Sequence, residues 1–402
     1  MIRTLVVVGH GMVGHHLIEQ LRARDRTDAW RVVVLAEESV PAYDRVALSS
    51  SVEGRGADHL ALAGPGFLDD PSIHLLLDTT ALAVDRRRRL VRCDDGTVVH
   101  YDALVLATGA RPFVPPVPGH DLPGCHRYRT LADLDGIRAA ARPGRAGVVI
   151  GGGLLGLEAA NALRLLGMRP HVVELAPRLM PVQVDDGGGA VLARLIAALG
   201  VELHLGIGTA AVEACLDGRV RRVRLADGSA IDTGLVVFAA GVRPRDELAR
   251  GAGLAVGERG GVLVDDRCRT EDPRIWAVGD CAAVEGRCYG LVAPGYRMAE
   301  SVVGQLLGVD SVPFAGADTA TRLKLLGVEV ASLGDAHATT AGAVELAYTD
   351  AAAGTYAKLV LAEDGRTLLG AVLAGDASAF GALRPYLGKE LPTSPDQLLA
   401  RP

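Results

Sequence analysis

The sequence predicts an α/β protein built from two Rossmann-like dinucleotide-binding domains and a smaller α+β domain at the C-terminal end. Three observations carry this. The pattern GxGxxG stands between an apolar strand and a helix at Gly9 and again at Gly151. In both places the strand that follows the helix ends in an acid, Glu37 or Glu174. From about residue 310 the pattern changes to that of an antiparallel hairpin domain. The expected boundaries are 1–115 with 246–308 for the first dinucleotide domain, 116–245 for the second and 309–402 for the third.

The first element, Thr4-Leu5-Val6-Val7-Val8, is an uninterrupted apolar run suited to a strand covered on both faces. Gly9-His10-Gly11-Met12-Val13-Gly14 follows, then a helical pattern with Leu17, Ile18 and Leu21. The reasons for the glycines are steric: Gly9 makes the tight turn, Gly11 lets a pyrophosphate approach bare amides, and Gly14 lets helix and strand pack closely. Met12 and Val13 belong to the same cradle. A second strand, Val32-Val33-Val34-Leu35, runs to Glu37, which can accept ribose hydroxyls, with Glu38 beside it. The unit recurs as Gly147 to Ile150, then Gly151-Gly152-Gly153-Leu154-Leu155-Gly156, a helix Leu157 to Leu166, and His171-Val172-Val173 ending at Glu174. Gly151, Gly153, Leu155 and Gly156 are the counterparts of the first cradle. One such motif is weak; two complete units imply two dinucleotide sites.

Hairpins are expected around Asp94-Asp95-Gly96 and Ala226-Asp227-Gly228, each leading into a buried strand that ends in glycine, Ala103 to Gly109 and Leu235 to Gly241. A third hairpin, Tyr356 to Leu361 with Thr367 to Leu373, marks the last domain, and the proline-containing tail after Leu391 is expected to dock or fray.

Composition narrows the chemistry. Acidic residues (48) exceed basic ones (42), for a net charge of −6, so nucleic acid and anionic membrane are poor partners. The first 323 residues contain no lysine, which excludes a lysine nucleophile there. Six cysteines, at 93, 125, 215, 268, 281 and 288, form no CxxC unit, and neither a redox pair nor a metal site is expected. His10, His15, His16 and His337 lack metal-ligand spacing and are expected to be structural. No apolar run reaches about 18 residues, so a cytoplasmic location is expected.

With both glycine units, Ala107-Thr108-Gly109 and Thr270 to Asp280 in place, the chain resembles the two-dinucleotide-binding-domain flavoprotein family. It is most similar to the N-terminal flavin module of the assimilatory NAD(P)H nitrite reductase large subunit. The runs Gly9 to His15, Ala42 to Ser50, Gly151 to Ala160, Gly290 to Tyr296, Leu323 to Val328 and Gly334 to His337 carry that likeness. The resemblance implies a glutathione-reductase-like architecture with FAD in the first domain and NADH, or NADPH, in the second. It also implies that Gly279 and Asp280 serve the ribityl chain, that Ala293 presents helix-start amides to the flavin, and that Arg45, Ala81, Thr108, Gly109 and Arg129 lie on the flavin side. Glu158 and Gly241 are placed at the nicotinamide. Glu174 should favour NADH by repelling a 2′-phosphate, while Arg178 could soften that preference.

Relatives that reduce disulfides carry a cysteine after the second strand, and relatives that feed ferredoxins often carry a lysine. Here the stretch reads Leu48-Ser49-Ser50, so thiol-based reduction is not expected, and Ser50 is a candidate hydrogen-bond donor to the flavin. The nitrite reductase subunit continues into iron–sulfur and sirohaem domains that need clustered cysteines. Nitrite reduction itself is therefore expected to lie outside this polypeptide. The leading expectation is an NADH-dependent FAD reductase that passes electrons to an iron–sulfur protein or a nitrate or nitrite reductase component. Direct reduction of a nitro, nitroso, quinone or oxygen substrate, and a redox-sensing flavoprotein without turnover, are the alternatives. A homodimer formed through Leu323 to Val330 is expected by analogy.

Overall fold

A computed structural model describes residues 2–53, 57–309, 312–317, 320–325 and 327–399. The chain forms two compact units, Met1–Arg111 with Val242–Ala317, and Pro112–Gly241 with Asp318–Pro402.

In the first unit a five-stranded parallel sheet runs in the order Ile275–Ala277, Ala103–Leu106, Arg3–Val8, Trp30–Leu35, Ile73–Leu76. Leu5, Val6, Val7, Val32 and Val34 are fully buried, as uninterrupted β-branched runs require when both faces are covered. The order of connection reverses at Arg3–Val8, and such switch points open a crevice at the carboxyl ends of the strands. Helix Met12–Arg24 leaves that end and packs on helix Val292–Leu307, where His16 stacks on Tyr296 with ring centres 4.1 Å apart. A three-stranded antiparallel sheet, Ala81–Asp85, Leu90–Cys93 and Val98–His100, contains the first expected hairpin.

The second unit repeats the plan. Its parallel sheet runs Glu202–Leu205, Arg169–Glu174, Ala146–Ile150, Val236–Phe238, Cys125–Arg127, and it switches at Ala146–Ile150. A meander of Thr209–Ala214, Val220–Leu225 and Ala230–Asp232 packs Val212, Val223 and Ile231 against Val148, Ile150 and Val173. The helix after the second glycine turn is Leu154–Leu165, starting earlier than expected because Gly153 is its N-cap.

The rest of this unit is a five-stranded antiparallel sheet in the order Thr321–Leu325, Val328–Gly334, Leu368–Gly375, Thr355–Leu361, Val344–Asp350. Its inner face meets helix Asp186–Ala198. The tail docks: Pro395–Leu399 is helical, and Leu398 and Leu399 pack on the sheet's core. Two residues of the expected apolar dimer face are turned into the domain. Val328 and Val330 point inward, 7% and 1% exposed, so they offer no surface. The side chains of Leu323, Lys324 and Leu325, and residue Leu326, lie outside the described residues.

Candidate functional site

Gly9 has φ of +106°, and a Cβ there would stand 2.3 Å from the Ala107 carbonyl oxygen and 3.2 Å from the Thr108 nitrogen. A Cβ at Gly14 would stand 2.3 Å from the Gly9 carbonyl oxygen. These two glycines are demanded by the protein's own backbone. Gly11 is different: its backbone is extended, and a Cβ would meet only Arg45 Nε, at 4.0 Å. Gly11 caps helix Met12–Arg24 without a side-chain hydrogen bond, so Met12 and Val13 open the helix beside reserved space. An arginine fork next to bare helix-start amides is the kind of donor set that suits a pyrophosphate.

The acids at the strand end are held in two groups. Glu38 pairs with Arg45 Nη2 and accepts from the Tyr43 hydroxyl at 2.8 Å, while Arg45 Nη1 donates to that hydroxyl at 2.9 Å. Glu37 pairs with Arg245 Nη1. The Thr108 hydroxyl donates to the Arg245 carbonyl at 2.6 Å, so Gly9, Glu37 and Thr108 lie in one connected patch. Tyr43 and Arg245 were not singled out from the sequence, although Tyr43 sits in the Ala42 to Ser50 run and Arg245 follows an Arg-Pro pair.

Gly279 lies against Val13, where a Cβ at 279 would stand 3.3 Å from Val13 Cγ2, and Asp280 follows it, half-buried in a 3-10 turn, Gly279–Cys281. Gly109, next to Thr108, is bordered by open space. Ala293 is in the first turn of helix Val292–Leu307, which has no side-chain cap. Ala81 opens its strand next to Thr80, whose amide donates to Asp94, and Thr79 is hydrogen-bonded to Ala36 beside Glu37. Arg129 belongs to the other unit, where its amide and the Thr130–Asp133 capping box start helix Leu131–Ala140.

The Ser50 hydroxyl lies 2.7 Å from both the Ala47 carbonyl and His59 Nε2. With one proton and a carbonyl that can only accept, it donates to Ala47 and receives from His59. Ser50 is engaged in its own 3-10 turn, Leu48–Glu53, and donates to a ligand only by releasing Ala47. His10 accepts from the Ala42 amide at Nδ1, so its Nε2 carries the proton and donates to His15 Nδ1 at 3.3 Å. Burial and the neighbouring His15 push His10 down to about 3. Both rings pack on Phe67.

The second cradle is the steric twin of the first. Gly151 has φ of +115°, with a Cβ position 2.4 Å from the Ala239 carbonyl oxygen; at Gly156 a Cβ would stand 1.8 Å from the Gly151 carbonyl oxygen. Gly153 again meets nothing within 4 Å, and Leu155 lies in the helix's first turn. Gly241 also borders open space. Glu174 accepts from the Gly152 amide at 2.6 Å and the Ala176 amide at 2.7 Å, which fixes its carboxylate at the lip of the loop. Arg178 is turned away, donating to the Val184 carbonyl at 3.0 Å and to Asp186 at 2.5 Å.

Glu158, a half-buried residue of helix Leu154–Leu165, has no hydrogen bond or ion pair among the described residues, and desolvation pushes its carboxyl up to about 7. An acid raised above its unfolded value of 4.5 keeps its proton in the fold, so its contribution is present at low pH and is lost as pH rises to about 7. Wild-type thermal stability should therefore fall relative to that of Glu158→Gln between about pH 4.5 and 7, whatever slope the lowered His10 adds to both proteins over the same range. Superimposable pH profiles for the two proteins would contradict this.

The six cysteines are unpaired. Cys281 is fully buried beside the site, its Sγ 3.3 Å from both the Leu106 and the Val278 carbonyl oxygens, which share its single proton, and burial raises it. Burial also pushes Cys93, Cys125 and Cys288 up to about 11. These are inert thiols rather than nucleophiles.

Two loops, each with a helix start, a reserved Cβ space and a strand-end acid, one in each unit, have the pattern of dinucleotide-binding oxidoreductase domains. The pyridine nucleotide-disulphide oxidoreductase family matches residues 3–302, and the rubredoxin NAD+ reductase C-terminal domain matches residues 320–391. The chain belongs to the pyridine nucleotide-disulphide oxidoreductase family and is an FAD-dependent NAD(P)H oxidoreductase. It is 50% identical over 397 residues to the nitrite reductase [NAD(P)H] large subunit of Klebsiella oxytoca, covering 98% of this chain and 41% of that one. It is 33% identical over 376 residues to the assimilatory nitrate reductase electron transfer subunit of Bacillus subtilis, covering 92% and 47%. A ferredoxin reductase from Rhodopseudomonas palustris superimposes with a TM-score of 0.85 at 28% identity, covering 99% of this chain and 97% of the other. The chain thus spans less than half the length of these curated relatives.

Proposed function

We propose that this chain takes reducing equivalents from NADH onto FAD and delivers them to a separate acceptor, an iron–sulfur protein or a metal centre of a nitrate- or nitrite-reducing system. The observation that carries the reading is the pairing of two intact cradles with a flavin-side segment, Leu48-Ser49-Ser50, that holds neither thiol nor amine, while Cys281 nearby is buried and inert. Electrons arriving in such a protein have no disulfide of its own to reduce. The names of the relatives, an electron transfer subunit and a ferredoxin reductase, support delivery to another redox centre.

In this reading Met1–Arg111 with Val242–Ala317 holds FAD. Arg45 and the amides after Gly11 take the pyrophosphate, Glu37 with Thr108 the adenosine side, and Asp280 the ribityl chain. Ala293 places a helix start where negative charge develops. Pro112–Gly241 holds the nicotinamide dinucleotide through Gly153, Leu155 and Glu174, with Glu158 and Gly241 nearest the ring. When bound, FAD supplies a two-electron store between the nicotinamide and an acceptor. The protein's own part is to bind, orient and keep thiols out of the path. With every cysteine unpaired, a reducing, cytoplasmic compartment fits best.

Stopped-flow mixing with NADH should bleach the flavin band, and a screen of reoxidants should find an iron–sulfur protein faster than quinones, nitro compounds or oxygen. Fastest reoxidation by a small molecule would favour direct reduction instead, and a flavin that NADH does not bleach would leave only a sensor.

NADH should be preferred over NADPH, because Glu174 is held at the lip by two amides and Arg178 is committed to Val184 and Asp186. Glu174→Ala should lower the kcat/KM ratio of NADH to NADPH by about tenfold or more, the scale of one charged hydrogen bond plus relieved repulsion. An unchanged ratio would place the discrimination elsewhere.

A further inference from the structure

The parallel register of Arg169–Glu174 with Glu202–Leu205 sets His171 beside Glu202 and Val173 beside His204. Because side chains alternate along a strand, His171, Glu202 and His204 share one face, the face on which Val173 meets the meander. His171 Nδ1 lies 3.2 Å from His204 Nε2 and 3.3 Å from Glu202 Oε2, and the three donor atoms all lie within 4.8 Å of one another. The sequence alone expects no metal site, since 31 residues separate His171 from Glu202 and only strand pairing joins them.

Hydrogen bonding does not satisfy this cluster. A neutral His171 can present one proton or one lone pair at Nδ1, yet it faces both an imidazole nitrogen and a carboxylate. If His204 donates to it, the Glu202 oxygen confronts a lone pair. If it donates to Glu202, His204 Nε2 competes for the same single proton. A cation at the centre serves all three donor atoms at once, at a histidine that is only 8% exposed. The two separations from His171 suit a metal, since tetrahedral coordination with bonds of about 2.0–2.1 Å puts ligand atoms about 3.3–3.4 Å apart, and a small side-chain rotation brings the third pair to that spacing. Arg169 on the same strand and Asp227 in the turn of the neighbouring hairpin also act electrostatically on the two imidazoles. Glu202 is exposed and His204 half-buried, which leaves an entry path and room for a water as fourth ligand.

We propose that His171, Glu202 and His204 form a binding site for one divalent transition-metal ion of the Zn2+ type, which staples the edge strand Glu202–Leu205 to the strand that carries Glu174. Two imidazoles and a carboxylate are the donor set of open-sided zinc sites, and the order of affinities also admits Co2+, Ni2+ and Cu2+. The site is separate from both cradles and takes no part in electron transfer.

The test uses full-length, tag-free, FAD-loaded protein. Equilibrium dialysis against Zn2+ should show one ion per chain, and Co2+ should give tetrahedral visible bands without a thiolate charge-transfer band. Zn2+ should raise the unfolding temperature. His204→Gln and Glu202→Gln, both at sites open to solvent, should weaken Zn2+ binding by about tenfold or more each and abolish the thermal shift. NADH bleaching of the flavin should be retained in both, which shows that they fold. A thiolate band would assign the ion to cysteines, binding unchanged in His204→Gln would place it elsewhere, and no wild-type binding below about 1 mM would leave only a histidine pair; each result overturns the proposal.

Discussion

Gly11→Val should yield a folded protein that purifies without FAD. The backbone at Gly11 is extended, with φ of −85°, a conformation valine adopts readily, and a Cβ there touches nothing closer than Arg45 Nε at 4.0 Å. The cost to the empty fold should stay near 1 kcal/mol, the scale of replacing a glycine N-cap by a β-branched residue. The side chain instead fills the space that a pyrophosphate needs in order to reach the amides of the first helical turn. Gly14→Val is the contrast: its Cβ would lie 2.3 Å from the Gly9 carbonyl oxygen, so that variant should fail to fold rather than fail to bind. Circular dichroism and the flavin-to-protein absorbance ratio separate the two. Full flavin occupancy in Gly11→Val would remove the first cradle from the proposed FAD site.

Lys358→Ala should destabilise the second unit by about 3 kcal/mol, the lower end of what breaking a buried ion pair costs. Lys358 is 3% exposed, and its Nζ lies 2.8 Å from Glu345 Oε2 and 3.1 Å from Asp185 Oδ2. Tyr356 donates to the same Asp185 oxygen at 2.7 Å, and Asp185 caps helix Asp186–Ala198 through the Gly188 amide at 3.1 Å. Removing the ammonium leaves Asp185 short of a donor at a helix start that also anchors the C-terminal sheet. Glu345, half exposed, rehydrates, which is why the lower end applies. Burial tends to raise the Asp185 carboxyl, but the Tyr356 hydroxyl, the Gly188 amide and Lys358 outweigh it and hold it below the usual range. That stabilisation is present at neutral pH and is lost as acid protonates Asp185, so the gap between wild type and Lys358→Ala should narrow at low pH. Urea unfolding at both pH values measures it, and a difference below about 0.5 kcal/mol at pH 7 would show that the network is not stabilising.

Both parallel sheets were legible in outline because their central strands are long apolar runs followed at once by glycine turns. The edge strands were not. Ile73–Leu76, Cys125–Arg127 and Glu202–Leu205 have three or four residues each, carry histidines or charges, and are strands only because a longer neighbour pairs with them. The three hairpins could be read, since Asp-Gly turns between alternating runs are local signals. The glycine roles at Gly9 and Gly14 followed from the motif, but the ion pairs that hold the acids, Glu37 with Arg245 and Glu38 with Arg45, arise from residues distant in sequence or from choices among 39 arginines. The engagement of Ser50 by His59 had no sequence signal at all. The apolar pattern of Val328 and Val330 was visible, yet a pattern does not say which face of a sheet is covered.

The distinction between glycines that the backbone demands and glycines that a ligand demands bears on how such a chain can drift over generations. Gly9 and Gly14, like Gly151 and Gly156, answer to carbonyl oxygens within the chain and stay under constraint in any descendant that folds. Gly11 and Gly153 meet no backbone within 4 Å and, under the proposed function, answer to what is bound there. A lineage that abandoned one nucleotide would release the middle glycine of that loop first and keep the outer two, leaving in its sequence a record of which cofactor was lost.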